Sequence, residues 1–280
     1  TLGTRALTFD PRLTDYWIAE PYPGKRTENA TSRIPEPIHA PLLVWSMRFV
    51  DEFAGDILNG IELWRVRRSK GKVGDGASER RGLRWGQAQT LIHDYMARVR
   101  AAGRPIPGSG GRPNIAAIGR AVGCDRLALE PFKAELAELA EALGVSEYAD
   151  LEQPIVGRID GEPWIEGFRT NPREADSLST MSQLLQTACY IVIAFLSGMR
   201  DNEIKHLRTG ASEVVADSHG TPTRWLAHSL AFKGEEEIEG VPATWVIGAP
   251  AARAIDVLER LAVSSGSPSP WLFAPLRTGP

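Results

Sequence analysis

The stretch Ala194-Phe-Leu-Ser-Gly-Met-Arg-Asp-Asn-Glu-Ile-Lys-His-Leu207 decides how this chain is read. Its first residues close an apolar segment over 180–196, in which Met181, Leu184, Leu185, Ala188, Ile191, Val192 and Phe195 recur at helical spacing. Gly198 breaks that helix, and a polar helix restarts near Arg200. Glu203 falls one turn from Arg200 on the same face, where its carboxylate can orient the guanidinium or satisfy local donors. An arginine so placed offers a rigid fork of donors that fits two oxygens of one phosphate.

Downstream, residues 224–232 alternate in polarity, with Leu226, His228, Leu230 and Phe232 on one side, and residues 243–247 alternate as well. The polar run Lys233-Gly-Glu-Glu-Glu-Ile-Glu-Gly240 lies between them, so the unit reads as an antiparallel hairpin whose tip opens at Lys233. A helix over 251–262 follows, then a Ser/Pro/Gly loop and Trp271-Leu-Phe273.

Upstream, residues 1–41 carry Pro11, Pro21, Pro23, Pro35, Pro37 and Pro41 and read as an extended arm. Leu43, Met47, Val50, Phe53, Ile57, Ile61 and Trp64 then step by three and four, which predicts a long amphipathic helix. A glycine-rich, charged loop spans 69–86, and a second helix turns Leu91, Ile92, Tyr95, Met96 and Val99 inward before Gly103 and Pro105 stop it. Residues 114–129 form two short helices around Gly123, a pattern that fits either a helix-turn-helix or a plain helical hairpin. Phe132, Leu136, Leu139 and Leu143 predict a further helix, and residues 151–178 read as a proline- and glycine-rich linker.

Composition narrows the function. The chain is 42% hydrophobic and 24% charged, the balance of a globular protein. Its longest apolar run, 188–199, is short for a membrane span of ~20 residues, and residues 1–10 lack the apolar core of a secretory signal. Cys124 and Cys189 are too few for a disulfide framework or a zinc site, and reduced cytoplasmic thiols are expected. His206 and His228 have no partner at metal-ligand spacing, so no metal or cofactor is expected. The net charge is −3, but it is unevenly spread: twelve Lys and Arg against four acids between Glu62 and Arg112, then seven acids against Lys133 alone over 130–152. A basic block of that density suits a phosphate backbone or, more simply, a solvated loop. Arg65, Arg67, Arg68, Arg98, Arg100 and Arg112 are the candidate DNA contacts.

Taken together, these residues resemble the tyrosine recombinases, the phage integrase family. The first box of that family runs from an apolar helix through Thr/Ser-Gly-apolar-Arg to Glu, an apolar residue and Leu. Ser197, Gly198, Met199, Arg200, Glu203, Ile204 and Leu207 match it. The family also places a lysine at the tip of the following hairpin, where Lys233 stands, and the resemblance covers about 179–276. It implies an α+β, mainly helical protein: a helical DNA-binding domain over 42–150 and, over 179–280, part of a catalytic domain with a small antiparallel sheet. It implies catalysis without a metal, in which a tyrosine oxygen attacks a phosphodiester. Arg200 would hold nonbridging oxygens, Lys233 would protonate the leaving 5′ oxygen, and Glu203 would support Arg200.

The family's His-x-x-Arg box has no counterpart, because none of His39, His93, His206, His219 and His228 has Arg three positions on. No tyrosine follows Tyr190. The resemblance therefore implies a piece of a longer recombinase, unable to cut DNA alone and exposing apolar surface where further helices would pack. The expected partner is double-stranded DNA, bound with self-association in a nucleoid-associated, cytoplasmic assembly. A non-catalytic DNA-binding regulator is the rival reading, and a helical scaffold for a protein partner is a weaker third.

Overall fold

The computed structural model describes residues 34–71, 85–124, 126–232, 239–266 and 268–276, with the side chains of 68–71 and 85–87 outside that set. Contacts divide the chain into residues 1–40 and residues 41–280. The arm expected over 1–41 lies mostly outside the described residues, and by Glu36 the chain is already helical.

The apolar steps from Leu43 to Trp64 produce the expected helix, but in three pieces: α1 (Glu36–Arg48), a π-turn (Phe49–Phe53) and α2 (Ala54–Gly71). Val50, Phe53, Ile57, Ile61 and Trp64 are buried along one stripe. α3 (Trp85–Ala102) ends where Gly103 takes φ +61. It buries Ile92, Tyr95 and Met96, whereas Leu91, expected inward, is exposed. β1 (Ile106–Ser109) pairs antiparallel with β2 (Arg112–Pro113) and parallel with β3 (Val145–Ser146). Between β2 and β3 run α4 (Ile115–Val122), the single turn α5 (Arg126–Leu129) and α6 (Lys133–Leu143).

Residues 114–129 do form two helices about a left-handed Gly123 at φ +80, with Asn114 capping α4 by accepting from the Ala117 N–H. The second of them is only four residues long and runs through the 3-10 turn Glu130–Phe132 into α6, whose outward face carries Glu135, Glu138 and Glu141. One turn followed by an acidic face is a poor major-groove reader, because phosphates repel it.

The segment expected as a linker over 151–178 is instead a strap across α2, carrying β4 (Arg158–Ile159) paired with β5 (Glu162–Pro163). Its anchor is Asp56 on α2, which is 2% exposed. The Asp56 carboxylate accepts from the N–H groups of Val156 (3.0 Å) and Gly157 (2.9 Å) and from Trp164 Nε1 (2.8 Å). Trp164 stacks on Phe53 at 4.4 Å, and only a glycine at 157 lets it do so, since a Cβ there would lie 2.6 Å from the indole. A buried carboxylate with this many donors is a structural clamp.

α7 (Leu178–Leu196), capped by Ser177, is the one described helix long and apolar enough to cross a membrane by length and composition. Its apolar residues are taken up inside the protein: Met181, Leu185, Cys189, Val192 and Ile193 form one core with α2 and α9 (Ala249–Ser265). α8 (Asp201–Lys205) follows, then β6 (Ser212–Ala216), β7 (Pro222–Ala231) and β8 (Val241–Ile247) in an antiparallel sheet of order β6-β7-β8. Ala227, Ser229 and Ile247 face the core. The side bearing Leu226, His228 and Leu230 is the outer one, because it is Trp225 and Trp245 that pack on the core.

A second core joins α3, β1, α4 and α6 through Ile92, Met96, Ile106, Ile118, Leu129 and Leu136. The protein is thus α+β and mainly helical with small sheets. Among the described residues α2 sits in the α7–α9 core and also packs against α4, so contacts run between 42–150 and 179–280 within the unit 41–280.

Candidate functional site

The Ser-Gly-Met-Arg stretch works as a joint between α7 and α8. Ser197 ends α7 and its hydroxyl accepts from the Met199 N–H (3.1 Å). Gly198 takes φ +70, a conformation that side chains rarely adopt, and turns the chain sharply. Met199 is 5% exposed and plugs the core, while Ile204 and Leu207 are fully buried beneath α8. Arg200 is thereby left at the N-cap of α8 with extended φ/ψ.

Glu203 then holds Arg200 twice. Its Oε2 accepts from the Arg200 backbone N–H at 2.6 Å and its Oε1 from Nη1 at 3.0 Å. The carboxylate is 2% exposed and the arginine side chain 59% exposed, so the buried partner fixes one edge of an open guanidinium. The backbone carbonyl of Glu203 is held in turn by the Ser229 hydroxyl of β7.

Arg200, Asp201, Asn202, Glu203 and Phe232 line an open groove of about 400 Å³. Phe232 lies 4.6 Å from the His206 ring, and Gly240, at φ +81, leaves room for it where a Cβ would clash. His206 Nδ1 meets the Asn202 carbonyl at 2.6 Å; since a carbonyl only accepts, Nδ1 carries the proton. Trp271 stands against His206 on one side and under the Arg208 guanidinium on the other, 4.2 Å away. Lys233, the next residue after Phe232, lies outside the described residues.

The basic candidates sit elsewhere. Arg67, Arg98 and Arg104 converge on a cleft of about 260 Å³, with Tyr95 and Glu152 also in its walls. Arg67 faces the buried Asp150 carboxylate at 3.6 Å, Arg120 binds the same carboxylate at 2.6 Å, and Arg104 pairs with Glu152 at 2.6 Å. Arg65 is exposed and paired with Glu62 at 3.0 Å. Arg100 and Arg112 are exposed but do not line the cleft, and the side chain of Arg68 lies outside the described residues. Arg104, Tyr95, Phe232 and His206 escaped the sequence-based candidates; only the twelve-residue basic count touched one of them, Arg104.

The described tyrosines are not activated. Burial pushes Tyr95 up to about 12. Tyr190 is likewise pushed up to about 12, by burial and by its 2.6 Å bond to Asp201. Tyr148 is raised by burial and by its bond to Asp176. His228 bridges the sheet between Glu213 (2.9 Å) and Thr244 (3.0 Å). Among the described residues no three His, Cys, Asp or Glu side chains are placed to hold a metal ion.

Comparison with family models, curated proteins and solved structures returns no match for this chain.

Proposed function

We propose that this chain is the DNA-holding part of a tyrosine-recombinase-like protein, in which Arg200 grips a phosphate of duplex DNA. The observation that carries this reading is the Arg200–Glu203 pairing. A buried carboxylate pre-orients an exposed guanidinium, the preorganisation that phosphate recognition calls for. The guanidinium lines a groove whose far wall, Phe232, adjoins Lys233, the second cation of the family's pattern. In the complete reaction Arg200 would neutralise the nonbridging oxygens and Lys233 would protonate the departing 5′ oxygen. The nucleophile comes from outside the described tyrosines, each of which holds its proton more tightly than free tyrosine. By itself the chain binds DNA, assembling with further copies there, and does not cut it.

The test is fluorescence anisotropy on a short duplex over a range of salt. Affinity should fall linearly on a log–log scale, by ~0.9 per phosphate contact, and Arg200→Ala should remove about one contact from that slope. Affinity that does not change with salt would overturn the proposal. A denaturant-resistant protein–DNA adduct formed by this chain alone would overturn the placing of the nucleophile elsewhere.

The second reading, a non-catalytic DNA-binding regulator, is favoured by the convergence of Arg67, Arg98 and Arg104 on one cleft. Duplex affinity that survives Arg200→Ala but is lost when Arg98, Arg100 and Arg112 are neutralised would select it.

A further inference from the structure

We propose that the cleft between α2, α3 and the entry to β1 is a binding site for a phosphate monoester or inorganic phosphate, held by Arg67, Arg98, Arg104 and the Tyr95 hydroxyl. This site does not rest on the role assigned to Arg200.

Charge is the first argument. Three guanidinium groups, those of Arg67, Arg98 and Arg104, line the cleft with one carboxylate, that of Glu152, while the Asp150 carboxylate that Arg67 faces is itself paired with Arg120 outside its walls. The surplus is two positive charges in a concave space, which a dianionic phosphate would neutralise. An internal phosphodiester brings only one negative charge.

The donors are the second. Asp150 is buried and gives its short contact to Arg120, so Arg67 Nη1 is left facing Asp150 Oδ1 at 3.6 Å, beyond hydrogen-bond reach, and among the described residues neither buried atom has a hydrogen-bond partner. That nitrogen points at Asp150; the Arg67 side chain, 23% exposed and lining the cleft, would meet an anion through the rest of its guanidinium. Arg98 spends its Nε on the Asp94 carbonyl at 3.4 Å, and among the described residues no bond engages its terminal nitrogens. Arg104 is already aligned by Glu152. The Tyr95 ring is buried in the second core, and its raised pKa keeps the hydroxyl a donor at any physiological pH.

Shape is the third. A space of about 260 Å³ exceeds what one phosphate fills, and Val99, Ala102 and Ala121 supply an apolar wall for the organic part of an ester. The phosphate could belong to a small phosphorylated molecule or to the 5′ end of a nucleic acid; the recognition chemistry is the same.

The experiment titrates the full chain with inorganic phosphate by calorimetry and thermal melting, with chloride at matched ionic strength as reference. A second arm compares blunt duplexes that differ only in a 5′-phosphate or 5′-hydroxyl. Phosphate should raise the melting temperature where chloride does not. Arg98→Ala, an exposed position whose folding is checked by circular dichroism, should weaken phosphate binding roughly tenfold, the loss of one charge-assisted bond. Tyr95→Phe, which keeps the buried ring, should weaken it roughly threefold, and Arg200→Ala should leave it unchanged. Tighter binding of the 5′-phosphorylated duplex, erased by Arg98→Ala, assigns the site to a DNA end; equal binding of the two duplexes with free phosphate still bound assigns it to a small phosphoryl ligand. Equal melting in phosphate and chloride, or phosphate binding untouched by Arg98→Ala, overturns the proposal. Phosphate binding in a chain without duplex affinity would sink the DNA reading and leave this site standing.

Discussion

The groove at Arg200 and the cleft at Arg98 both present guanidinium groups to open space, but they are built at different ranges. At the groove, one arginine is set by a glutamate three residues away, through a backbone bond and a side-chain bond to the same buried carboxylate. At the cleft, Arg67, Arg98 and Arg104 come from α2, α3 and the loop before β1, and their carboxylate partners arrive from the turn Ala149–Leu151 and from Glu152. The first arrangement survives as long as one helix start survives. The second exists only while α2, α4 and the turn at 149–151 stay packed, so it is the more fragile of the two.

The sharpest way to break this contrast is Asp150→Ala. It strips the shared partner from Arg67 and Arg120, and removing one side of a buried charge cluster should cost about 3 kcal/mol in urea unfolding. Phosphate binding at the cleft should fall with it while the Arg200 groove keeps its geometry; a loss below about 0.5 kcal/mol would show the cleft to be as self-sufficient as the groove. Asp56→Ala comes next. It leaves the Val156 and Gly157 N–H groups and Trp164 Nε1 without their acceptor, and we expect about 2 kcal/mol of destabilisation with faster hydrogen exchange over 153–164. An unchanged unfolding midpoint would mean that the strap is held by its other contacts, the Phe53–Trp164 stack and the Gln153 bond to the Asp56 backbone carbonyl among them.

Arg200→Ala should lower duplex affinity about tenfold, ~1.4 kcal/mol, with no change in melting temperature, because the side chain is largely exposed. A fall in melting temperature would mark Arg200 as a structural cap instead. The smallest effect concerns Tyr190. Its pKa in the folded protein is raised to about 12 from the ordinary 10, so its contribution is complete below pH 10 and is lost as pH rises through about 12. Tyr190→Phe should flatten the fall in stability over that window, read as unfolding midpoints against pH. An unchanged slope would mean that Tyr190 ionises alike folded and unfolded.

Much of the fold was legible because it follows local periodicity. The helix ending at Leu196, the break at Gly198, the hairpin and the closing helix all come from spacing within a few turns of chain. The misreadings share one cause. Residues 151–178 look like a linker because their Pro and Gly content excludes long elements, yet Asp56, roughly a hundred positions earlier, organises them. On β7 the alternation is legible but not which side is inward: Ala227 and Ser229 face the core where α9 and α8 touch the strand, and Leu226 and Leu230 take the outer side. Leu91 faces out because Ile92 and Met96 already fill the second core.

By itself the sequence determined the joint at 197–207: a helix stop at Gly198, a restart near Arg200 and a Glu203 one turn on, in reach of Arg200. It also marked the stretch from Glu62 to Arg112 as basic. Only the tertiary structure decided which of those basic residues act together. It shares Asp150 between Arg67 and Arg120, and gathers Arg98 and Arg104 beside Tyr95. The physical reason is range: a cap or turn is satisfied by neighbours along the chain, whereas the field inside a cleft is the sum of charges that only folding brings within a few ångströms of one another.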